Sequence, residues 1–88
     1  MKLKDGVFLH QVGNEYMGVT QGDAAQSFNG LIRNNKTANS IMELLMVNST
    51  EEKVVAAMLE KYDAPREIIT NDVRKIVEKL RTAGLLDE

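Results

Sequence analysis

His10 is the only histidine in the chain, which makes it the first residue to consider as a general base or metal ligand. No Asp, Glu or Cys accompanies it at ligand spacing, so we expect His10 to be a surface residue of a strand. The adjacent acids Glu51 and Glu52 are better explained by helix capping than by acid–base catalysis. A serine triad has no second candidate base, and the glycines are too dispersed for a phosphate-binding loop. The sequence therefore predicts a protein that is not an enzyme, with no catalytic residues, metal site or cofactor.

The composition predicts one soluble domain that spans residues 1–88. With 43% hydrophobic residues, a core can form without disulfides or structural metals. The absence of cysteine excludes disulfides, thiol catalysis and zinc–thiolate sites. A formal net charge of −2 argues against general affinity for nucleic acid. The chain has no signal-peptide pattern and no membrane-span pattern, so we expect a cytoplasmic protein that does not contact membranes.

The chain up to about Arg33 has the pattern of β-structure, with β-branched and aromatic residues between turn residues. The pair Gly13-Asn14 suits a tight hairpin, and Val7, Leu9 and Val12 form a candidate inward-facing set. Gly30 interrupts the last apolar run, which suggests a bulge or the close approach of another backbone. Strands are predicted over Val7–Val12, Glu15–Thr20 and Phe28–Ile32, with Ala24–Ser27 either loop or a helical turn.

The rest of the chain has the periodicity of three helices. Asn35 or Asn34 is a candidate N-cap of the first, and Ser49 with Glu52 fits a capping box at the start of the second. Pro65 suits the first turn of the third helix, and Gly84 suits its C-terminal cap. The buried faces are predicted to contain Ala38, Ile41, Met42, Leu44, Leu45, Val54, Val55, Met58, Leu59, Tyr62, Ile69, Val73, Ile76, Val77 and Leu80, sealed by Leu85 and Leu86. The predicted fold is α+β in the order βββααα, a three-stranded antiparallel sheet packed on a three-helix bundle.

The third predicted strand must have a side that the hairpin does not occupy. Unpaired N–H and C=O groups on such an edge can accept an incoming peptide as an extra strand, and an adjacent helix can add selectivity. The alternative is that the edge is covered or too short to bind anything. The same edge could also pair with a second copy of the chain, which would give a homodimer.

The basic residues of the last helix suggest another class of function. Three helices with a sheet can build a winged helix-turn-helix, whose recognition helix enters the major groove of DNA. Here the cations alternate with Asp72 and Glu78, a pattern that is usual for a solvated helix face. A winged-helix DNA-binding regulator is therefore kept as the alternative, with Arg74, Lys75, Lys79 and Arg81 as its candidate contacts.

The segment Asn35-Lys36-Thr37-Ala38, followed by Ile41, Leu44 and Leu45, resembles the L-N-x-T-A/G-x-x-I-W-x-L-L signature of the PqqD-like family. Met42 stands where that signature has Trp. The resemblance extends from about Phe28 to Leu86 and includes Thr50-Glu51-Glu52, Val54, Leu59, Tyr62-Asp63, Asp72-Val73, Leu80 and Gly84-Leu85-Leu86.

The resemblance implies a winged helix-turn-helix-like RiPP recognition element, a domain type that acts on ribosomally made and modified peptides. Such a domain is a non-catalytic chaperone that binds the leader of a precursor peptide and presents it to a modifying enzyme, often a radical S-adenosylmethionine (SAM) enzyme. The family takes its name from synthesis of the coenzyme pyrroloquinoline quinone (PQQ). The leader is expected to add beside the third strand and against the third helix, while the helix from Asn35 to Leu45 is mainly scaffold. The residues expected to bind peptide are Phe28, Asn29, Gly30, Leu31, Ile32, Arg33, Val73, Arg74, Ile76, Val77 and Lys79.

Overall fold

The computed structural model describes residues 1–27 and 30–88. The elements follow in the order β1 (Lys2–Leu3), β2 (Val7–Val12), β3 (Glu15–Thr20), α1 (Asp23–Ser27), β4 (Leu31–Asn34), α2 (Lys36–Leu44), α3 (Glu51–Lys61), α4 (Arg66–Thr82) and β5 (Leu86–Asp87). Strands β2, β3 and β4 form an antiparallel sheet in that order, and β1 and β5 form a separate antiparallel pair. The predicted α+β class with a three-stranded antiparallel sheet is confirmed.

The order βββααα is not a sufficient description of this chain. Helix α1 lies between the second and third strands of the sheet, so the ambiguous segment Ala24–Ser27 is helical. Strands β1 and β5 were not predicted, because strands of two residues are too short to show periodicity. The third strand of the sheet begins at Leu31 and continues to Asn34, three residues later than the predicted start.

The predicted hairpin joins β2 and β3. Val12 pairs with Glu15, which leaves Gly13 and Asn14 as a two-residue turn. Gly13 has a φ of 61° and Asn14 a negative φ, the combination found in a type II′ turn. Val7 and Leu9 point inward as predicted, but Val12 is 64% exposed. Val12 differs in parity from the other two, so it lies on the opposite face of the sheet.

Helix α2 packs across the inner face of this sheet. Leu9, Gly18 and Ile32 are directly opposite one another on the three strands. The position that a Cβ of Gly18 would occupy is 3.7 Å from the Leu9 and Ile32 side chains and from Cε of Met42. Met42 of α2 therefore approaches the middle of the sheet at Gly18.

Side chains cap the starts of two helices. Asn35 is the N-cap of α2, where its Oδ1 accepts a hydrogen bond from the Ala38 N–H at 2.7 Å, as predicted. The predicted capping box at Ser49 is wrong by one position. Thr50 caps α3, because its hydroxyl accepts from the Lys53 N–H at 3.1 Å. The two helices are also joined side by side by a 2.9 Å hydrogen bond between the hydroxyls of Ser40 and Tyr62.

Helix α4 starts after Pro65 and ends at the predicted glycine. Pro65 has φ −60° and ψ 142° and is the N-cap residue, one position before its predicted place in the first turn. At the other end, the Gly84 N–H donates to the Arg81 carbonyl and the Leu85 N–H to the Leu80 carbonyl, which is the Schellman pattern. This cap turns Leu85 and Leu86 back into the core.

One hydrophobic core joins the sheet to all three longer helices. Its buried members are Leu3, Val7, Ala24, Ile41, Met42, Leu45, Val54, Val55, Met58, Ile69, Val73, Val77, Leu80, Leu85 and Leu86. Leu44, Leu59, Tyr62 and Ile76 are partly buried against it. None of the helices in the described residues is long and apolar enough to cross a membrane.

Candidate functional site

Strand β4 has an open edge, because β3 is its only partner among the described residues. The residues that flank a two-residue hairpin turn form a hydrogen-bonded pair, and the bonding direction then alternates along the strand. Starting from Val12 and Glu15, this alternation directs the polar backbone groups of Ile32 and Asn34 toward β3. The N–H and C=O groups of Leu31 and Arg33 consequently face the open edge.

A groove of about 340 Å³ lies beside this edge and is referred to below as the β4–α4 groove. Strand β4 forms one wall, α4 forms the other, and α2 contributes the floor between them. The lining residues are Leu31, Ile32, Arg33, Asn34, Asn35, Ala38, Met42, Ile76, Lys79, Leu80, Ala83 and Leu85. The groove therefore combines a mainly apolar lining with unpaired backbone groups along one side.

Four of the five candidate residues on α4 are divided between the core and the groove. Val73 and Val77 are fully buried, so their side chains belong to the hydrophobic core. Ile76 is half-buried and Lys79 is exposed, and both line the β4–α4 groove. The sequence alone left open which of these residues face the groove.

The remaining predicted residues are in three different places. Leu31, Ile32 and Arg33 line the groove. Gly30 forms an exposed bend with φ 145° immediately before β4. Arg74 lines a separate concavity between α3 and α4, with Glu51 and Arg66 among its neighbours. The predicted residues Phe28 and Asn29 lie outside the described residues.

Sequence reasoning did not identify the contribution of α2 and of the end of α4 to the groove. Ala38 and Met42 are four residues apart and so share one face of α2, which the sequence analysis assigned to the core. Asn34, Leu80, Ala83 and Leu85 complete the lining. The signal that could have located this surface was the small Ala38 beside a strand end, since a small side chain leaves space between two packed elements.

The charges at the groove are positive and are not neutralised locally. Within the described residues, neither Lys79 nor Arg33 forms an ion pair. Arg81, by contrast, is paired with Glu78 and with Glu88, to which it donates at 2.8 Å and 3.0 Å. These hydrogen bonds from Arg81 hold the pKa of Glu88 below its ordinary value. The groove lining thus contains Arg33 and Lys79 and no acidic residue, although the net charge of the chain is −2.

The candidate metal ligands do not assemble into a site in the part of the chain that the structure describes. His10 is exposed on β2, as expected. Across residues 1–27 and 30–88, no three His, Cys, Asp or Glu side chains come together in a way that could hold a metal ion. The described residues form a strand edge beside an apolar groove, and this arrangement is suited to binding an extended chain.

Comparison with known proteins places this fold in a family. Residues 7–86 match the family model described as coenzyme PQQ synthesis protein D (PqqD). The chain belongs to the PqqD family. The match covers both walls of the β4–α4 groove and the hairpin that sets the register of β4.

A solved structure has the same fold as this PqqD-family chain. It is described as TbiB1 in complex with the TbiA(beta) leader peptide, and it superimposes with a TM-score of 0.76 at 21% sequence identity. The similarity covers 99% of this chain and 95% of the TbiB1 chain. A comparison with curated proteins found no match.

Proposed function

We propose that this protein binds the leader segment of a ribosomally made precursor peptide by strand addition to β4 and presents that peptide to a separate modifying enzyme. The observation that carries the proposal is the open edge of β4 beside the β4–α4 groove. Membership of the PqqD family supports it, as does a structure of the same fold, TbiB1, solved with a leader peptide.

The backbone of β4 provides one part of the binding free energy. Leu31 and Arg33 together present two N–H donors and two C=O acceptors at the edge. A net hydrogen bond in a protein contributes about 0.5–1.5 kcal/mol, so a ladder this short gives only modest affinity. Backbone pairing is also independent of side chains and does not distinguish one peptide from another.

Side chains of the leader that enter the β4–α4 groove supply the rest of the binding free energy. Ala38 and Met42 form an apolar surface between the two walls, and Ile76 borders it from α4. Burying one large apolar side chain there contributes about 1.5–3 kcal/mol, as much as two or three of the hydrogen bonds in the ladder. In this proposal the groove selects the leader and the strand edge holds it extended.

The protein is a carrier in this scheme, and the chemistry belongs to its partner. The family resemblance suggests a radical SAM enzyme as that partner. Residues 1–88 act as a single peptide-recognition domain of winged helix-turn-helix-like form, in which α2 to α4 are the helical part and the sheet is the wing. A second copy of the chain could pair with the same edge, and it would then compete with the leader.

The test is an N-methyl scan of the leader encoded beside the gene. Each synthetic peptide carries one methylated backbone amide, which removes a donor but keeps every side chain. Because ladder contacts alternate, methylation should weaken binding at every second position, by about fivefold for each lost bond of about 1 kcal/mol. Binding is measured by fluorescence polarisation, and chemical-shift mapping should place the unmodified leader at β4 and α4. A scan with no alternation, or shifts confined to other surfaces, would contradict the proposal.

A further inference from the structure

We infer that the peptide bound in the β4–α4 groove carries an acidic side chain two positions from an apolar anchor, an inference that rests on the proposed function. The groove has an apolar floor, the unpaired cation Lys79 on its helical wall and no acidic residue in its lining. These features define the chemistry of the partner more narrowly than strand addition does.

Lys79 is exposed on α4 and lines the groove. Arg33 contributes to the groove from β4, but its side chain alternates with that of Ile32 and so points to the outer face of the sheet. Within residues 1–27 and 30–88 neither cation has a carboxylate partner, whereas Arg81 on α4 has two. A carboxylate entering between the walls would therefore meet positive charge without displacing an existing ion pair.

Neither acidic residue of α4 close to Lys79 lines the groove: Glu78 is paired with Arg81, and Asp72 lies farther along the helix. Asp72 lines an adjoining concavity between α2 and α4, together with Lys75. Asp72 is about 10 Å from Lys79 along the helix axis at 1.5 Å per residue. The preference for an acidic side chain of the peptide is thus expected only in the part of the groove beside Lys79.

Asn34 adds a neutral donor to the same wall. Its Nδ2 is buried and has no hydrogen-bond partner among the described residues, although Asn34 lines the groove. Buried amide groups in folded proteins are normally paired, so this donor is suited to an acceptor supplied by the peptide. A carboxylate oxygen or a peptide carbonyl would satisfy it.

The spacing follows from strand geometry. Successive side chains of an added strand point to opposite faces, so only alternate residues enter the groove. If one such residue contacts the apolar floor formed by Ala38 and Met42, the next residue on that face is two positions away. That neighbour is the one able to reach Lys79.

The experiment is a selection of short random peptides displayed on phage against the immobilised protein. The wild type should enrich peptides in which Asp or Glu lies two positions from a large apolar residue. Lys79→Gln should remove the acidic preference, and Lys79→Glu should replace it with Lys or Arg. Lys53→Glu is the matched control, because it makes the same charge change on α3, away from the groove, and should leave the selected sequences unchanged.

Affinities of the selected peptides make the comparison quantitative. Replacing the selected Asp by Asn should weaken binding to the wild type by about twofold to fivefold, as expected for an exposed ion pair. The same replacement should have no effect on binding to Lys79→Gln. Circular dichroism and thermal unfolding confirm that each variant is folded.

The outcomes separate this inference from the function on which it rests. If selected peptides lose affinity for a Leu31→Pro variant but show no acidic preference, the leader-binding function stands and the inference is wrong. If no peptide is enriched, or binding is insensitive to both Leu31→Pro and Lys79→Glu, strand addition at this groove is itself wrong. If Lys79→Glu reverses the acidic preference and Lys53→Glu does not, both the leader-binding function and the inferred acidic preference are supported.

Discussion

At the residue scale, Gly6 and Gly18 differ in whether the surrounding atoms leave space for a Cβ atom. Gly6 has a φ of 100°, and a Cβ there would lie 2.1 Å from the carbonyl oxygen of Gln21. The Gly6 carbonyl also accepts a 2.8 Å hydrogen bond from the Gln21 N–H, so the backbone cannot move away without losing that bond. Gly18, although buried, has its nearest neighbours at an ordinary contact distance of 3.7 Å.

We therefore predict that Gly6→Ala destabilises the protein and that Gly18→Ala does not. Gly6→Ala should cost at least about 1–3 kcal/mol, because it combines steric overlap with a strained φ. Gly18→Ala should be neutral or should stabilise by up to about 1 kcal/mol, since alanine restricts the unfolded chain. Urea unfolding of the two variants measures both changes. Equal losses of stability would show that the space around Gly18 is not available to a methyl group.

At the residue scale, periodicity predicts which residues of a helix are buried, but not what a residue at the border of the buried stripe contacts. The apolar spacing of Val73, Val77 and Leu80 was sufficient to assign them to a buried stripe. Ile76 precedes Val77 by 100° around the helix and so lies at the border of that stripe. Whether a border residue faces the core or a groove depends on the neighbouring element, which periodicity does not contain. The location of Ile76 at the groove therefore required the packed structure.

At the scale of elements, β4 and β2 are the two edges of one sheet and allow a controlled comparison. Leu31→Pro removes an N–H that faces the open edge of β4 and leaves the ladder with β3 intact. We expect it to weaken binding of the leader by fivefold or more, since about 1 kcal/mol of hydrogen bonding is lost and the strand is distorted. Titration of the labelled leader provides the measurement.

Two controls isolate the effect of that amide. Leu31→Ala keeps the N–H and tests the side chain, which is half-exposed. Gln11→Pro removes an outward-facing N–H from β2, the opposite edge of the sheet, and should leave leader affinity unchanged. If Gln11→Pro weakened binding as much as Leu31→Pro, the loss would reflect general damage to the sheet and not a binding edge at β4.

The elements that were predictable are those with local signals. The hairpin at Gly13-Asn14, the N-cap at Asn35 and the C-terminal cap at Gly84 each depend on residues close in sequence. The β1–β5 pair depends on Leu3 facing Leu86, a contact between distant parts of the chain that no local pattern encodes. The edge position of β4 was expected, but its direction of hydrogen bonding required the observed register.

At the scale of the whole molecule, several contacts hold the N-terminal residues to the helices. The Leu3 N–H donates to the Leu45 carbonyl at 2.7 Å, and Leu3 pairs with Leu86 in the β1–β5 sheet. The Met1 amino group donates at 2.8 Å to Asn48 and to the carbonyl of Ser49. Leu86 thus joins the two ends to the core, while Leu85 beside it lines the β4–α4 groove.

Stability and binding should therefore be separable at Leu86. Leu86→Ala should cost about 2–3 kcal/mol of unfolding free energy, the lower part of the range for buried leucines, because Leu86 is near the surface. Val47→Ala, at an exposed site after α2, should change stability by less than about 0.5 kcal/mol.

Since Leu86 does not line the groove, the leader should bind folded Leu86→Ala with wild-type affinity. Leader at a hundred times its dissociation constant stabilises a folded protein by about 2.7 kcal/mol, which would offset the substitution. Thermal unfolding with and without leader tests this, and a leader affinity that fell together with stability would mean that the end pairing and the groove form one cooperative unit.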